Sequence, residues 1–156
     1  MNIRTNFRNR ISSKFKGNSI LFVNERFDIS SIKKHILSSE YSYINDLLKI
    51  KDDKKKIIAF HINSRKKIIL ISFKKDLSNS DAENLGAQCY NILEKFKKDD
   101  YIINTDSLPN KSIRLIGYFL HGIKLKSYKF EKYKTKKDKK DIILNIIGKN
   151  IPSKKE

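Results

Sequence analysis

One cysteine, two prolines and five scattered glycines occur in 156 residues, and each scarcity removes a class of explanation. A lone Cys89 cannot close an internal disulfide, so the chain is not a stapled secreted scaffold, and a reduced cytoplasmic setting is the simpler reading. The glycines form no G-x-G-x-x-G, P-loop or G-x-S-x-G pattern, which removes the common nucleotide loops and the hydrolase elbow. No apolar run approaches the roughly 18 residues needed to cross a bilayer. The N-terminal stretch MNIRTNFRNRISSKFKG lacks an apolar segment of the kind a secretory signal carries, so no such signal is expected, and no membrane is among the expected partners.

Charge is abundant. The 35 basic and 17 acidic residues leave a formal net charge of +18, which raises nucleic acid or an anionic membrane as a partner. Lysine supplies 29 of the basic residues and arginine 6. Arginine, with its rigid donor fork, is the commoner specialist for phosphates and bases. Lys, Ile and Asn are what AT-rich codons encode, so codon drift accounts for a lysine-rich surface without a selected ligand. Weak, non-specific nucleic-acid contacts would then fall to lysines such as Lys132, Lys136 and Lys137.

The apolar pattern predicts alternating strands and helices. Strands are expected around Ile3–Phe7 and over 19–24 (SILFVN). Asp28 then caps a short amphipathic helix through Ile29, Ile32 and Ile36. Residues 41–50 add a further helical turn. The runs IIAFHI (57–62) and IILISF (68–73), joined by a short polar turn, predict a hairpin. The second run, apolar on both faces, belongs inside the sheet. The clearest helix spans 80–97, with Ser80 and Glu83 in capping-box form and Ala82, Leu85, Cys89, Leu93 and Phe96 as its buried stripe.

A strand over 101–107 follows, then a helix opening at Pro109 with Ile113, Ile116, Leu120 and Ile123 inward. Gly117 interrupts that helix and points to a close contact with a neighbouring element. DIILNIIG (141–148) is the last strand. The expected fold class is α/β: three layers, with a mixed, mostly parallel sheet flanked by helices, in one domain over 1–150.

Chemistry is sparse. His35, His61 and His121 share no metal-ligand spacing. Cys89 falls on a buried stripe, where a small hydrophobe packs well. The pairs Asp52-Asp53 and Asp99-Asp100 sit in lysine-rich turns, where a carboxylate stays an ordinary acid. No catalytic, cofactor-binding or metal-binding residue is assigned.

The segment GYFLHGIKLKSYKFEKYKTKK (117–137) resembles the end of the N-terminal domain of the leucyl (cytosol) aminopeptidases. There a Gly-bearing helix runs into a segment close to L-G-x-Y-x-F-D-x-Y-K-T-K-K. Leu125, Tyr128, Phe130, Tyr133, Lys134, Thr135, Lys136 and Lys137 stand at the matching positions. Glu131 replaces the usual Asp, and Lys126 stands where Gly is common. IILISF and the helix after it are similar to the family's strand and long helix, without the Gly-rich strand ending and with Gly86-Ala87 in place of a Gly pair. DIILNIIGKNIP is similar to the domain's last strand.

The resemblance implies an α/β domain similar to macro domains, acting as an accessory domain with no activity of its own. Its partner would be the catalytic domain of the same polypeptide, within a parent that is a homohexamer. The two divalent metal ions, zinc or manganese, belong to that catalytic domain with its N-T-D-A-E-G-R-L signature. Asn104-Thr105-Asp106 continues as Ser107-Leu108-Pro109, and so is a strand end rather than that signature. Residues 151–156 would begin the interdomain connection. Tyr128, Phe130 and Tyr133, with Lys134 and Thr135, are expected to be structural, the aromatics packed where the helix leaves the core.

The alternative is a basic nucleic-acid-binding module, with the same aromatics stacking bases. An ADP-ribose module is disfavoured because its Gly-rich phosphate loop is lacking.

Overall fold

The computed structural model describes residues 3–8, 18–50, 55–62, 66–74, 77–96, 100–107, 113–133 and 142–147; side chains are excepted at 3–8, 31, 96, 106, 113, 114, 129–133 and 142. Six strands form one sheet: β1 (Ile3–Arg8), β2 (Asn18–Val23), β3 (Ile57–His61), β4 (Lys67–Ser72), β5 (Asp100–Asn104) and β6 (Ile142–Ile147). Their order is β1-β6-β5-β2-β4-β3. Every neighbouring pair is parallel except β3 with β4, which forms the expected antiparallel hairpin and places β3 at an edge.

The period of two along a strand divides the core between the two faces. Ile20 and Phe22 of β2, Ile69 and Ile71 of β4, Tyr101 and Ile103 of β5, and Leu144 and Ile146 of β6 enter one cluster. That cluster is closed by α2 (Asn79–Phe96) and α3 (Ile113–Tyr133). Leu21 and Val23, with Ile68 and Leu70, enter a second cluster on the opposite face. It is covered by a 3₁₀ helix over Ile29–His35 and by α1 (Ser38–Leu48). The molecule is therefore an α/β fold with a mixed, mostly parallel sheet and helices on both faces. The middles of β2 (Ile20–Val23) and β4 (Ile68–Ile71) are continuously apolar because both of their faces are covered.

Several local expectations shift. Asp28 does cap its helix, its carboxylate accepting from Ser30 N at 3.0 Å, but the helix is 3₁₀. A three-residue turn sets Ile29 and Ile32 over one another against the sheet and brings His35 round on the same side. The expected turn over 41–50 is the later part of an 11-residue helix that starts at Ser38. The cap of α2 is Ser78 rather than Ser80: Asp81 N donates to Ser78 Oγ at 3.1 Å, and Ala82 N to the Ser78 carbonyl. The S-x-x-E spacing from Ser80 therefore lies wholly within the first turn. Pro109 and the start of the α3 stretch before Ile113 lie outside the described residues.

The close contact expected at Gly117 is found at two other glycines. A Cβ on Gly122 would overlap the Glu83 carbonyl of α2, and one on Gly86 would overlap the Phe119 carbonyl of α3. Beneath this crossing, Phe119 meets Phe22 edge-on with ring centroids 5.5 Å apart, and Phe73 lies 4.7 Å from Phe22. Such tilted pairs add to the burial of three large side chains.

Candidate functional site

In open α/β sheets, ligands bind outside the carboxyl ends of the strands where the chain's direction of travel reverses. Here that place lies between β2, whose chain leaves toward β4, and β5, whose chain leaves toward β6. The two strands pair only over Asn18–Ile20 and Tyr101–Ile103. Beyond that the chain fills the gap itself, with a 3₁₀ turn over Thr105–Ser107. Phe22 N donates to Ser107 Oγ at 2.9 Å, and Ser107 Oγ donates to the Asn104 carbonyl at 2.6 Å. Thr105 Oγ1 donates to the Ile147 carbonyl of β6 at 2.9 Å. The Asn104 amide sits 3.0 Å from His35 Nδ1.

Asn104 and Thr105 thus work as the end of a strand and a clasp between β5, β6 and the 3₁₀ helix. The site an α/β sheet would ordinarily offer a ligand is occupied by the chain's own hydroxyl and amide groups.

A cleft of about 260 Å³ opens next to it, at the carboxyl ends of β2 and β4 and the first turns of α2. Glu25, Lys55, Lys56, Lys74 and Asp81 line its rim, over Phe27 and Leu85. Phe27 adopts a left-handed backbone, φ 56°, within a turn held by Asn24, whose Oδ1 accepts from Arg26 N and Asp28 N at 3.0 Å each. The charged side chains on this rim are water-exposed and of both signs. They present no paired nucleophile and base.

The three histidines are not brought together. His35 joins the clasp just described, His61 is exposed on β3, and exposed His121 places Nδ1 3.1 Å from Glu83 Oε2. Among the described residues, no group of three or more His, Cys, Asp and Glu could hold a metal ion. Cys89 is fully buried, and loss of hydration pushes its thiol up to about 12, where it has no thiolate to act with at neutral pH. Asp100 is exposed at the start of β5, while Asp52, Asp53 and Asp99 lie outside the described residues.

The expected packing of Tyr128 is corrected. Helix α3 does not end before the aromatics but continues to Tyr133. Its inward stripe runs through Leu115, Ile116, Phe119, Leu120, Ile123 and Ser127. The next residue round the helix, Tyr128, turns away and is 72% exposed. Phe130, Lys132 and Tyr133 are on the same helix, and their side chains are outside the described set, as are residues Lys134, Thr135, Lys136 and Lys137.

Two buried polar clamps have no signal at short range in the sequence. Lys66 Nζ lies 2.6 Å from Glu40 Oε2, with side chains 10% and 4% exposed. Glu40 also accepts from Leu37 N at 3.0 Å through Oε1, so one carboxylate ties the first turn of α1 to the β3–β4 hairpin. The second clamp is Asn18. Its Oδ1 accepts from Lys67 N at 2.9 Å and its Nδ2 donates to the Asp100 carbonyl at 3.2 Å, joining the starts of β4 and β5. Lys66, the partner of Glu40, lies 26 residues further along the chain.

No family model matches the chain, and no curated protein matches its sequence. Among solved structures, the chain is similar to a point mutant of tomato leucine aminopeptidase, at 13% identity and a TM-score of 0.66. The likeness takes in 97% of this chain and 34% of the tomato chain. At that identity it establishes a shared fold. Among the described residues, no helix is long and apolar enough to cross a membrane.

Proposed function

We propose that the chain is the N-terminal accessory domain of a leucyl aminopeptidase-type metallopeptidase, a hydrolase of the cytoplasm, and that it does no chemistry by itself. The observation that carries this reading is the combination of two likenesses. One is the fold, which follows tomato leucine aminopeptidase over 97% of this chain but only 34% of that one. The other is the segment Leu125 to Lys137, which resembles the closing motif of the family's N-terminal domain. The chain spans about a third of the protein it matches, so release of N-terminal amino acids, with its two divalent zinc or manganese ions, is assigned to a separate catalytic domain of the same polypeptide. A homohexameric parent follows from the same resemblance.

The closed switch point supports a supporting rather than a catalytic role. Ser107, Thr105 and Asn104 spend their hydrogen bonds on neighbouring backbone and on His35, which leaves the usual ligand crevice filled. The purified chain should release no leucine from a leucyl substrate with zinc or manganese added. Metal-dependent release that a chelator abolishes, from material free of other peptidases, would overturn the reading.

A further inference from the structure

The outward face of α3 carries a line of exposed and partly exposed large side chains, two tyrosines and a leucine with a histidine between them. Tyr118, His121, Leu125 and Tyr128 follow one another at intervals of three, four and three residues, which keeps them on one line of the helix. Tyr118 is 37% exposed, Leu125 39% and Tyr128 72%, and His121 is exposed between them. At 1.5 Å per residue the stripe is about 15 Å long, nearly three turns. Large apolar side chains lined up in this way mark a docking surface more than isolated ones do.

The surrounding charge selects the occupant. Helix α3 carries Arg114, Lys124, Lys126, Lys129 and Lys132 against a single acid, Glu131. Lys124 is exposed directly beside Leu125. Glu83 of α2 already faces His121 at 3.1 Å. A second copy seated on the same stripe would set one basic helix against another, which like charge disfavours. A nucleic acid would want a run of flat stacking faces, and Leu125 breaks that run between the tyrosines. We propose that this stripe docks an amphipathic helix from a partner whose apolar seam is flanked by glutamate and aspartate. The interdigitating spacing is that of helix-in-groove recognition, and the acidic flanks meet the lysines of α3.

The test is fluorescence anisotropy with a labelled synthetic helix carrying leucine at its a and d positions and glutamate at e and g. Saturable binding is expected, weakening as salt rises. Tyr128→Ala should weaken it about tenfold, as loss of a large aromatic anchor does, at an unchanged melting temperature because Tyr128 is exposed. Leu125→Ala should weaken it in the same direction. The same helix with lysine at e and g should not bind.

Failure of the acidic helix to bind, equal binding of the lysine version, or an unchanged affinity for Tyr128→Ala overturns the proposal. So does self-association in sedimentation that Tyr128→Ala abolishes, which would give the stripe to a second copy. Binding of an oligo-dT strand that depends on Tyr128, with none of the acidic helix, would give it to nucleic acid instead.

Discussion

Gly122 of α3 lies with its bare Cα against the main-chain carbonyl of Glu83 on α2. A methyl group there has nowhere to go, because the obstacle is backbone rather than the end of a flexible side chain. The reciprocal contact, Gly86 against the Phe119 carbonyl, fixes the same crossing from the other helix. Both helices return between parallel strands on one face of the sheet, so this crossing sets how they sit over Phe22, Phe73 and Phe119.

Gly122→Ala is therefore expected to destabilise the domain by about 1–3 kcal/mol, the usual cost of overpacking, although alanine is the better helix former by roughly 1 kcal/mol. Gly86→Ala should behave alike. Urea midpoints measure both. A midpoint that rises for either variant would mean that the helices are free to separate.

The buried pair Glu40–Lys66 gives an asymmetric expectation. Glu40→Gln leaves a mostly buried ammonium without its carboxylate, and Lys66→Met leaves a buried carboxylate without its cation. Breaking one side of such a pair costs about 3–5 kcal/mol, whereas replacing both sides with apolar groups of similar size is often neutral. Each single variant should lower the denaturant midpoint clearly, and Glu40→Leu with Lys66→Met should recover much of the loss. Additive losses in that cycle would show that the two side chains act independently.

Cys89 should be inert. A disulfide-exchange reagent at pH 8 is expected to leave the folded chain unmodified and to titrate one thiol in denaturant. The burial that raises the thiol from 9.0 to about 12 also has a consequence for stability. The folded state holds its proton at a pH where the unfolded state has lost it. This contribution is thus fully present below pH 9 and is lost as the pH rises toward 12. Cys89→Ala should flatten that alkaline fall, as read by thermal melts between pH 8 and 11. An identical pH dependence in the variant would remove Cys89 as the cause.

Most elements were legible because their signals are local. Ile68 to Ile71, apolar on both faces, told of a strand inside the sheet, and Ala82, Leu85, Cys89 and Leu93 told of one buried helix face. What failed was what depends on where elements meet. Gly117, Gly122 and Gly86 are alike to any local rule, and only the crossing point decides which of them need to be glycine. Tyr128 follows Ser127 by one residue, and the 100° step between them separates core from water. The motif around it was visible, but not that α3 continues through it. The strand was expected to run on to residue 107, but it ends at Asn104, and Thr105 to Ser107 form a 3₁₀ turn instead. Its role in closing the crevice depends on β2, more than 80 residues away.

The central claim is that these residues are an accessory domain within a longer aminopeptidase chain. The most direct measurement is the mass of the native polypeptide, by immunoblot of cell extract with an antibody raised to this domain. The account predicts a band about three times the 18.3 kDa of these residues, since they cover 34% of the tomato chain. That band should co-purify with leucine-releasing activity that a chelator removes. A single band near 18.3 kDa, with no such activity beside it, would contradict the account.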